Sequence, residues 1–209
     1  MDSDGILGQI AHEVTSCTSR GLFHSRKHAV PGEGPADAEI VFIGEGPGFH
    51  ENEQGRPFVG AAGKFLDELL VKNGLQRDQV FITNVVKCRP PGNRDPLPDE
   101  VDTCTRLYLE RQIQAINPAV IVTLGRYSMG HYLPTAKISN VHGQAMLVKG
   151  RLIIPMYHPA AALHQQALRP VIEQDFAGLS KHLAKLRDRQ ELKVEELDEK
   201  EEPKQLSLF

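Results

Sequence analysis

The stretch from Ile40 to Leu70, IVFIGEGPGFHENEQGRPFVGAAGKFLDELL, admits few folds. Ile40 to Ile43 reads as a buried strand, and Gly44-Glu45-Gly46-Pro47-Gly48 reads as the sharp loop at its C-terminal end. Ala61 to Leu70 then places Leu66, Leu69 and Leu70 on one helical face. In an open parallel sheet, ligands sit beyond the C-terminal ends of the strands. Gly44, Gly46 and Gly48 let the backbone approach a bound group, with Glu45 the one charge among them. No Gly-Lys-Ser/Thr follows, so the loop is not of the nucleotide-hydrolase type. A glycine-rich turn with no chemistry is the plain alternative.

The rest of the chain repeats the alternation. Residues 3 to 16 suit a leading helix, followed by a polar, basic arm holding Cys17, Arg20, Arg26 and Lys27, which has no clean period. Val80 to Thr83 is a second strand that delivers Asn84, and the Lys87–Arg94 segment after it is proline-rich, basic and non-helical. A helix from Pro98 to about Ile116 holds Cys104 in its first turns. Strands over 119–124 and 152–155 follow, the last presenting Met156-Tyr157-His158-Pro159, and 171–187 is an amphipathic helix. This order implies a three-layer α/β/α fold with a central four-stranded, mostly parallel sheet. Residues 1–189 would form one domain and 190–209 a flexible acidic tail.

Charge is unevenly placed. The formal net charge of -3 hides a tail from Glu191 onward with a net of -4 and a remainder with a net of +1. A nucleic-acid partner is therefore not excluded. Three cysteines cannot close a disulfide framework, so reduced thiols or metal ligands are the better readings. With no signal-peptide pattern and no apolar span, the expectation is a cytoplasmic monomer.

Glu45, Asn84 and His158 all arrive at strand ends after apolar runs, as a shared cleft would require. Asn84 carries donors and an acceptor suited to the edge of an amide-like heterocycle. His158 can donate to an oxygen that gains negative charge. Singly, each could be a turn-capping residue.

GEGPG, GRPFVGAAGKFLDELL, FITNVVKCRPPGNRDP and YHPA, in this order, resemble the iron-sulfur uracil-DNA glycosylases of the family-4 type. The resemblance covers nearly all of Cys17 to Leu183. It implies hydrolysis of the N-glycosidic bond of deoxyuridine in DNA, releasing uracil and starting base excision repair. By that resemblance Phe58 stacks on the flipped uracil, Asn84 reads its N3 and O4 edge, and His158 binds O2. Glu45 would lie beside the ribose and the attacking water, with Gly44 and Gly46 lining the pocket. Gly46 stands where the related family-1 enzymes have an aspartate, which leaves the group that handles water open. Phe49 and His50 replace acidic residues often seen in the family.

The same resemblance assigns DNA contacts to Lys87, Arg89, Asn93 and Arg94, with Leu163 as the wedge that fills the vacated space. Family members usually run His-Pro-Ala-x-Leu-Leu-Arg; here an arginine comes only at Arg169, the candidate for that phosphate contact. A structural [4Fe-4S] cluster is implied, with Cys17, Cys88 and Cys104 matching three of its four cysteines. Arg20 occupies the second cysteine position, so the fourth ligand would be His24, another side chain or solvent. One rival is a non-catalytic or covalent uracil-DNA-binding protein on the same fold, although the inserted basic loop of the covalent relatives is missing. Another is an unrelated small-molecule enzyme on a flavodoxin-like sheet. Finally, Gln205-Leu206-Ser207-Leu208-Phe209 resembles the peptide that docks bacterial repair proteins on the DNA sliding clamp, Gln205 at its rim and Leu206, Leu208 and Phe209 in its apolar pocket.

Overall fold

A computed structural model describes residues 2–19 and 21–198 of the chain, with side chains in the last helix described as far as residue 184. Arg20 and the clamp-motif residues Gln205, Leu206, Leu208 and Phe209 lie outside the described residues.

The strands are β1 (Ile40–Gly44), β2 (Phe81–Asn84), β3 (Val120–Leu124), β4 (Met146–Val148) and β5 (Arg151–Met156). The helices are α1 (Ser3–Ser16), α2 (Phe49–Gln54), α3 (Ala61–Lys72), α4 (Pro98–Cys104), α5 (Glu110–Ile116), α6 (Arg126–Tyr132), α7 (Ile138–Val141), α8 (Pro159–His164) and α9 (Leu168–Asp198). They form one mixed α/β fold on a five-stranded sheet of order β2-β1-β3-β5-β4. Four strands run parallel, as the apolar runs implied; the fifth, β4, pairs antiparallel with β5 as a short edge strand. Its three residues alternate in exposure without a buried run, which is why the sequence hid it.

β1 is buried along its whole length because it lies between β2 and β3 and is covered on both faces. Phe42 faces a core with Leu66 and Leu69 of α3 and with Phe176 of α9, whose ring stacks on it at 6.0 Å. Val41 and Ile43 face the opposite core, with Ile10 and Val14 of α1 and Ile113 of α5. Each such side chain contributes about 1.5–3 kcal/mol on burial.

The helix expected from Pro98 to Ile116 is α4 and α5 joined by a π-helical stretch, Thr105–Leu109, immediately after Cys104. α9 runs well past the expected 187 to Asp198, into the segment read as tail, since Leu, Lys, Glu and Arg sustain a helix and no Gly or Pro interrupts them there. The basic arm is irregular, as expected, and it is pinned. Val30 N donates to Lys87 O, His28 N to Asn52 O, and Glu33 exchanges backbone bonds with Ile82.

The sheet order places the reversal of strand sequence at β1, so the loops after β1, β2, β3 and β5 open on one edge.

Candidate active site

The cleft begins with a register. Gly44 and Asn84 are paired neighbours at the ends of β1 and β2. The ladder continues past them, Val85 N donating to Gly44 O and Val86 N to Glu45 O, each at 3.0 Å. A β-carbon added at Gly44 would lie 2.4 Å from Asn84 Oδ1 and 2.7 Å from Phe58 Cζ. Glycine is required there because the amide and the ring both press on its α-carbon. Asn84 and Phe58 are buried, at 2% and 5% exposure.

His158 closes the group from β5. Its ring lies 5.4 Å from that of Phe58, inclined by 24°. The backbone N–H of Ala160 donates to His158 Nδ1 at 3.1 Å, so the proton of the neutral ring is on Nε2. Burial draws the imidazole pKa down to about 4, with Glu51 opposing. Gly125 has φ +92°, and a β-carbon added there would lie 3.2 Å from His158 Cβ, so the turn after β3 can pack close to the His158 side chain. The cleft thus offers a neutral donor, an uncharged amide and an aromatic face.

Glu45 is half-buried. Burial pushes its carboxyl above the usual carboxylate range and Asp95 adds to this, while Arg126 opposes it. Arg126 itself pairs with Asp95 at 2.5 Å and lies over the Tyr127 ring.

Asn84, Phe58 and His158 are thus brought together, while the Glu45 carboxyl, one residue past Gly44, has Asp95 and Arg126 as its charged neighbours. Residues 31–184 match the model of the uracil DNA glycosylase superfamily. The chain belongs to that superfamily. It is 50% identical over 186 residues to a type-4 uracil-DNA glycosylase of Sulfurisphaera tokodaii, covering 84% of this chain and 83% of that protein. The type-4 enzyme of Archaeoglobus fulgidus is 48% identical, covering 81% of this chain and 89% of its own. That of Thermotoga maritima is 43% identical, covering 79% and 88%.

Against this superfamily fold the basic loop needs correction. Lys87, read as a phosphate contact, is 1% exposed and points inward. Its Nζ donates to Thr83 Oγ1 at 2.6 Å, Gln112 Oε1 at 2.7 Å and Asn84 O at 2.8 Å. Burial draws its pKa down to about 7, opposed by Cys104. A lysine four residues after Thr83 can bridge back under the strand end, a geometry that composition does not reveal. Arg89, Asn93 and Arg94 do reach the surface, although Arg89 donates to Asn93 Oδ1 at 2.7 Å and Arg94 pairs with the buried Glu100 at 2.7 Å. Arg89 also lies over the ring of Phe49, which is 54% exposed. Leu163 on α8 is 47% exposed. Arg169 is not a free cation: it pairs with Glu68 and Glu173 and covers the Phe65 ring. In the arm, Arg26 donates to the last carbonyls of α1, Val14 O and Thr15 O, and Lys27 pairs with Glu53.

The three cysteines are free and gather between α1, the basic loop and α4. Burial pushes the Cys88 and Cys104 thiols up, and each feels Cys17 nearby. Arg26 Nη1 lies 3.3 Å from Cys88 Sγ, and Lys87 opposes the upward shift at Cys104. Among the described residues no three His, Cys, Asp or Glu side chains are placed to hold a single metal ion. His24 rests against the Phe23 ring at 3.8 Å. Three thiols beside the Arg26 guanidinium and the Lys87 amine form a soft donor set of the kind that holds iron-sulfur groups.

Two residues escaped sequence reasoning. Glu51 accepts from Gly48 N, Val59 N and Gly60 N at 3.1, 2.9 and 2.8 Å, tying the GEGPG loop to the GRPFVG segment. Its place three residues after Gly48 was the available signal. Arg77, before β2, carried none.

His158 yields a direct pH test. Protonation is opposed in the folded state, so its contribution to stability is present above the ordinary pKa of 6.5 and is lost as pH falls toward about 4. Nitrogen NMR of the imidazole should show the Nε2–H tautomer at neutral pH and a midpoint near 4. A midpoint of 6.5 would mean the ring is not held as described.

Proposed function

We propose that this chain is a uracil-DNA glycosylase, hydrolysing the N-glycosidic bond of deoxyuridine in single- and double-stranded DNA to begin base excision repair. The observation that carries the reading is the convergence of Asn84, Phe58 and the Nε2–H tautomer of His158 around Gly44. Among the described residues no helix is long and apolar enough to cross a membrane.

The chemistry follows from these groups. The flipped base stacks on Phe58. Asn84 Oδ1 accepts from N3–H of uracil while Nδ2 donates to O4; cytosine presents the reverse order and is refused. As the C1′–N1 bond breaks, its electron pair passes to the base and positive charge grows on the sugar. His158 Nε2–H donates to O2 as that oxygen becomes anionic, and the ring needs no protonation to do so. Glu45 lies on the sugar side, where a carboxylate stabilises the cation and orients the water that adds to C1′. Extrusion of the nucleotide needs grips on the flanking phosphates, supplied by Arg89, Asn93 and Arg94, and Leu163 fills the gap left in the stack.

Cys17, Cys88 and Cys104 would hold a [4Fe-4S] cluster, with Arg20 at the second of the four cysteine positions leaving the fourth ligand to His24, another side chain or solvent. When bound, the cluster supplies structural cross-linking of the arm to the basic loop. The free thiols favour a reducing compartment, and we place the protein in the cytoplasm as a monomer. The sequence QLSLF at residues 205–209 supports docking on a bacterial sliding clamp, which would raise the enzyme's local concentration at newly made DNA.

Single-turnover assays on uracil-containing oligonucleotides should show uracil release without divalent metal. Asn84→Ala and His158→Ala should fold and each lose about a hundredfold or more in rate; normal rates in both would remove their assigned roles. Protein purified without oxygen should be brown and contain iron and sulfide, and Arg20→Cys should raise both iron content and melting temperature. Absence of iron would leave the three cysteines as bystanders. In titrations against the clamp, removal of residues 205–209 should abolish binding while leaving excision on short oligonucleotides unchanged; equal affinity with and without them would end the docking idea.

A further inference from the structure

We infer that Arg77 is the positioning residue for Phe58, setting the stacking floor of the base pocket from behind; the inference rests on the uracil reading above. Phe58 adopts φ +49°, in the left-handed region that a bulky residue rarely enters. A residue persists there only when its surroundings leave it no other choice.

Two neighbours supply that constraint. Gly63 of α3 lies so close that an added β-carbon would be 1.8 Å from the Phe58 carbonyl oxygen. Arg77 approaches the same peptide with its guanidinium. Nη2 donates to Pro57 O at 2.5 Å and Nη1 to Phe58 O at 3.2 Å. The other donors go to carboxylates: Nη1 to Asp67 Oδ1 at 2.8 Å, and Nε and Nη2 to Glu33 Oε1 at 3.0 and 2.8 Å. All five N–H groups of the fork are therefore engaged.

The partners of Arg77 are themselves tied to the reading edge of the pocket. Glu33 exchanges backbone hydrogen bonds with Ile82 of β2, two residues before Asn84, and also pairs with Arg56 at 2.8 Å. Arg77 opens the 3-10 turn Arg77–Gln79 that leads into β2. Asp67 lies on α3, beneath the stacking segment. One guanidinium thus references the backbone of the stacking residue to the strand that carries the base-reading amide. Lysine, with three donors and no planar fork, cannot reproduce this set.

A purely structural staple between Glu33 and Asp67 would give the same hydrogen bonds but would act independently of the Phe58 ring. A double-mutant cycle separates the two. Single-turnover uracil release and inhibition by free uracil are measured for the wild type, Arg77→Gln, Phe58→Ala and the double variant. Arg77→Gln alone should slow release by about tenfold to a hundredfold and weaken inhibition by uracil, as expected for a misplaced contact. In the Phe58→Ala background the same change should cost no more than about threefold, because the ring it positions is gone. Equal losses in both backgrounds, or a wild-type rate for Arg77→Gln, would overturn the inference. Should Arg77→Gln not fold, Arg77→Lys takes its place in the same cycle with the same reading. A wild-type protein that releases no uracil would instead overturn the activity reading itself.

Discussion

The absence of a side chain at Gly44 is the constraint on which the pocket depends. A β-carbon there would occupy the space taken by the Asn84 amide oxygen and the edge of the Phe58 ring. A side-chain amide and an aromatic ring can meet at one point because the strand end between them presents only backbone. The parallel register of β1 and β2 then makes the meeting reproducible, since Gly44 and Asn84 are paired neighbours in the sheet. The remaining site groups are arranged around this fixed corner.

Behind that corner lies a buried polar network that couples the site to the cysteine-bearing region. Lys87 joins Thr83, the Asn84 carbonyl and Gln112. Gln112 and Thr83 in turn donate to Pro31 O, which fastens the irregular arm to the sheet. The next residue, Cys88, is one of the three gathered thiols. A buried ammonium is costly unless its donors are matched, and here three oxygens surround it. The strand end that carries Asn84 and the loop that bears a thiol are consequently one packed unit.

Much of this was legible from residue order. Apolar runs ending in glycine or a polar residue marked the parallel strands, and the polar groups at their ends marked the cleft. Phe58 was different: it is buried like any core residue, so hydrophobicity alone could not separate core packing from the stacking role that the resemblance implies. Lys87 misled because a lysine in a proline-rich basic loop looks like a surface charge, while its direction depends on a turn that only tertiary packing defines. Glu51 and Arg77 act on backbone atoms of residues far along the chain, and no local period records such contacts. β4 was missed because an edge strand of three residues has no buried face to announce it.

The strained backbone at Phe58 divides the pocket into two kinds of material. Asn84, Glu45 and His158 hang from backbone ladders: Val85 and Val86 zip the first two together, and Gly125 N donates to Met156 O just before the third. Those ladders contain no ionisable group. Phe58 belongs to no strand, and its peptide is held by a guanidinium balanced between two carboxylates that are partly open to solvent. The backbone that carries Asn84, Glu45 and His158 is therefore fixed without ion pairs, while the peptide of Phe58 rests on an ionic mount that salt can loosen. Sensitivity of this pocket to ionic strength is therefore concentrated behind the aromatic ring, at the one wall that no strand supports.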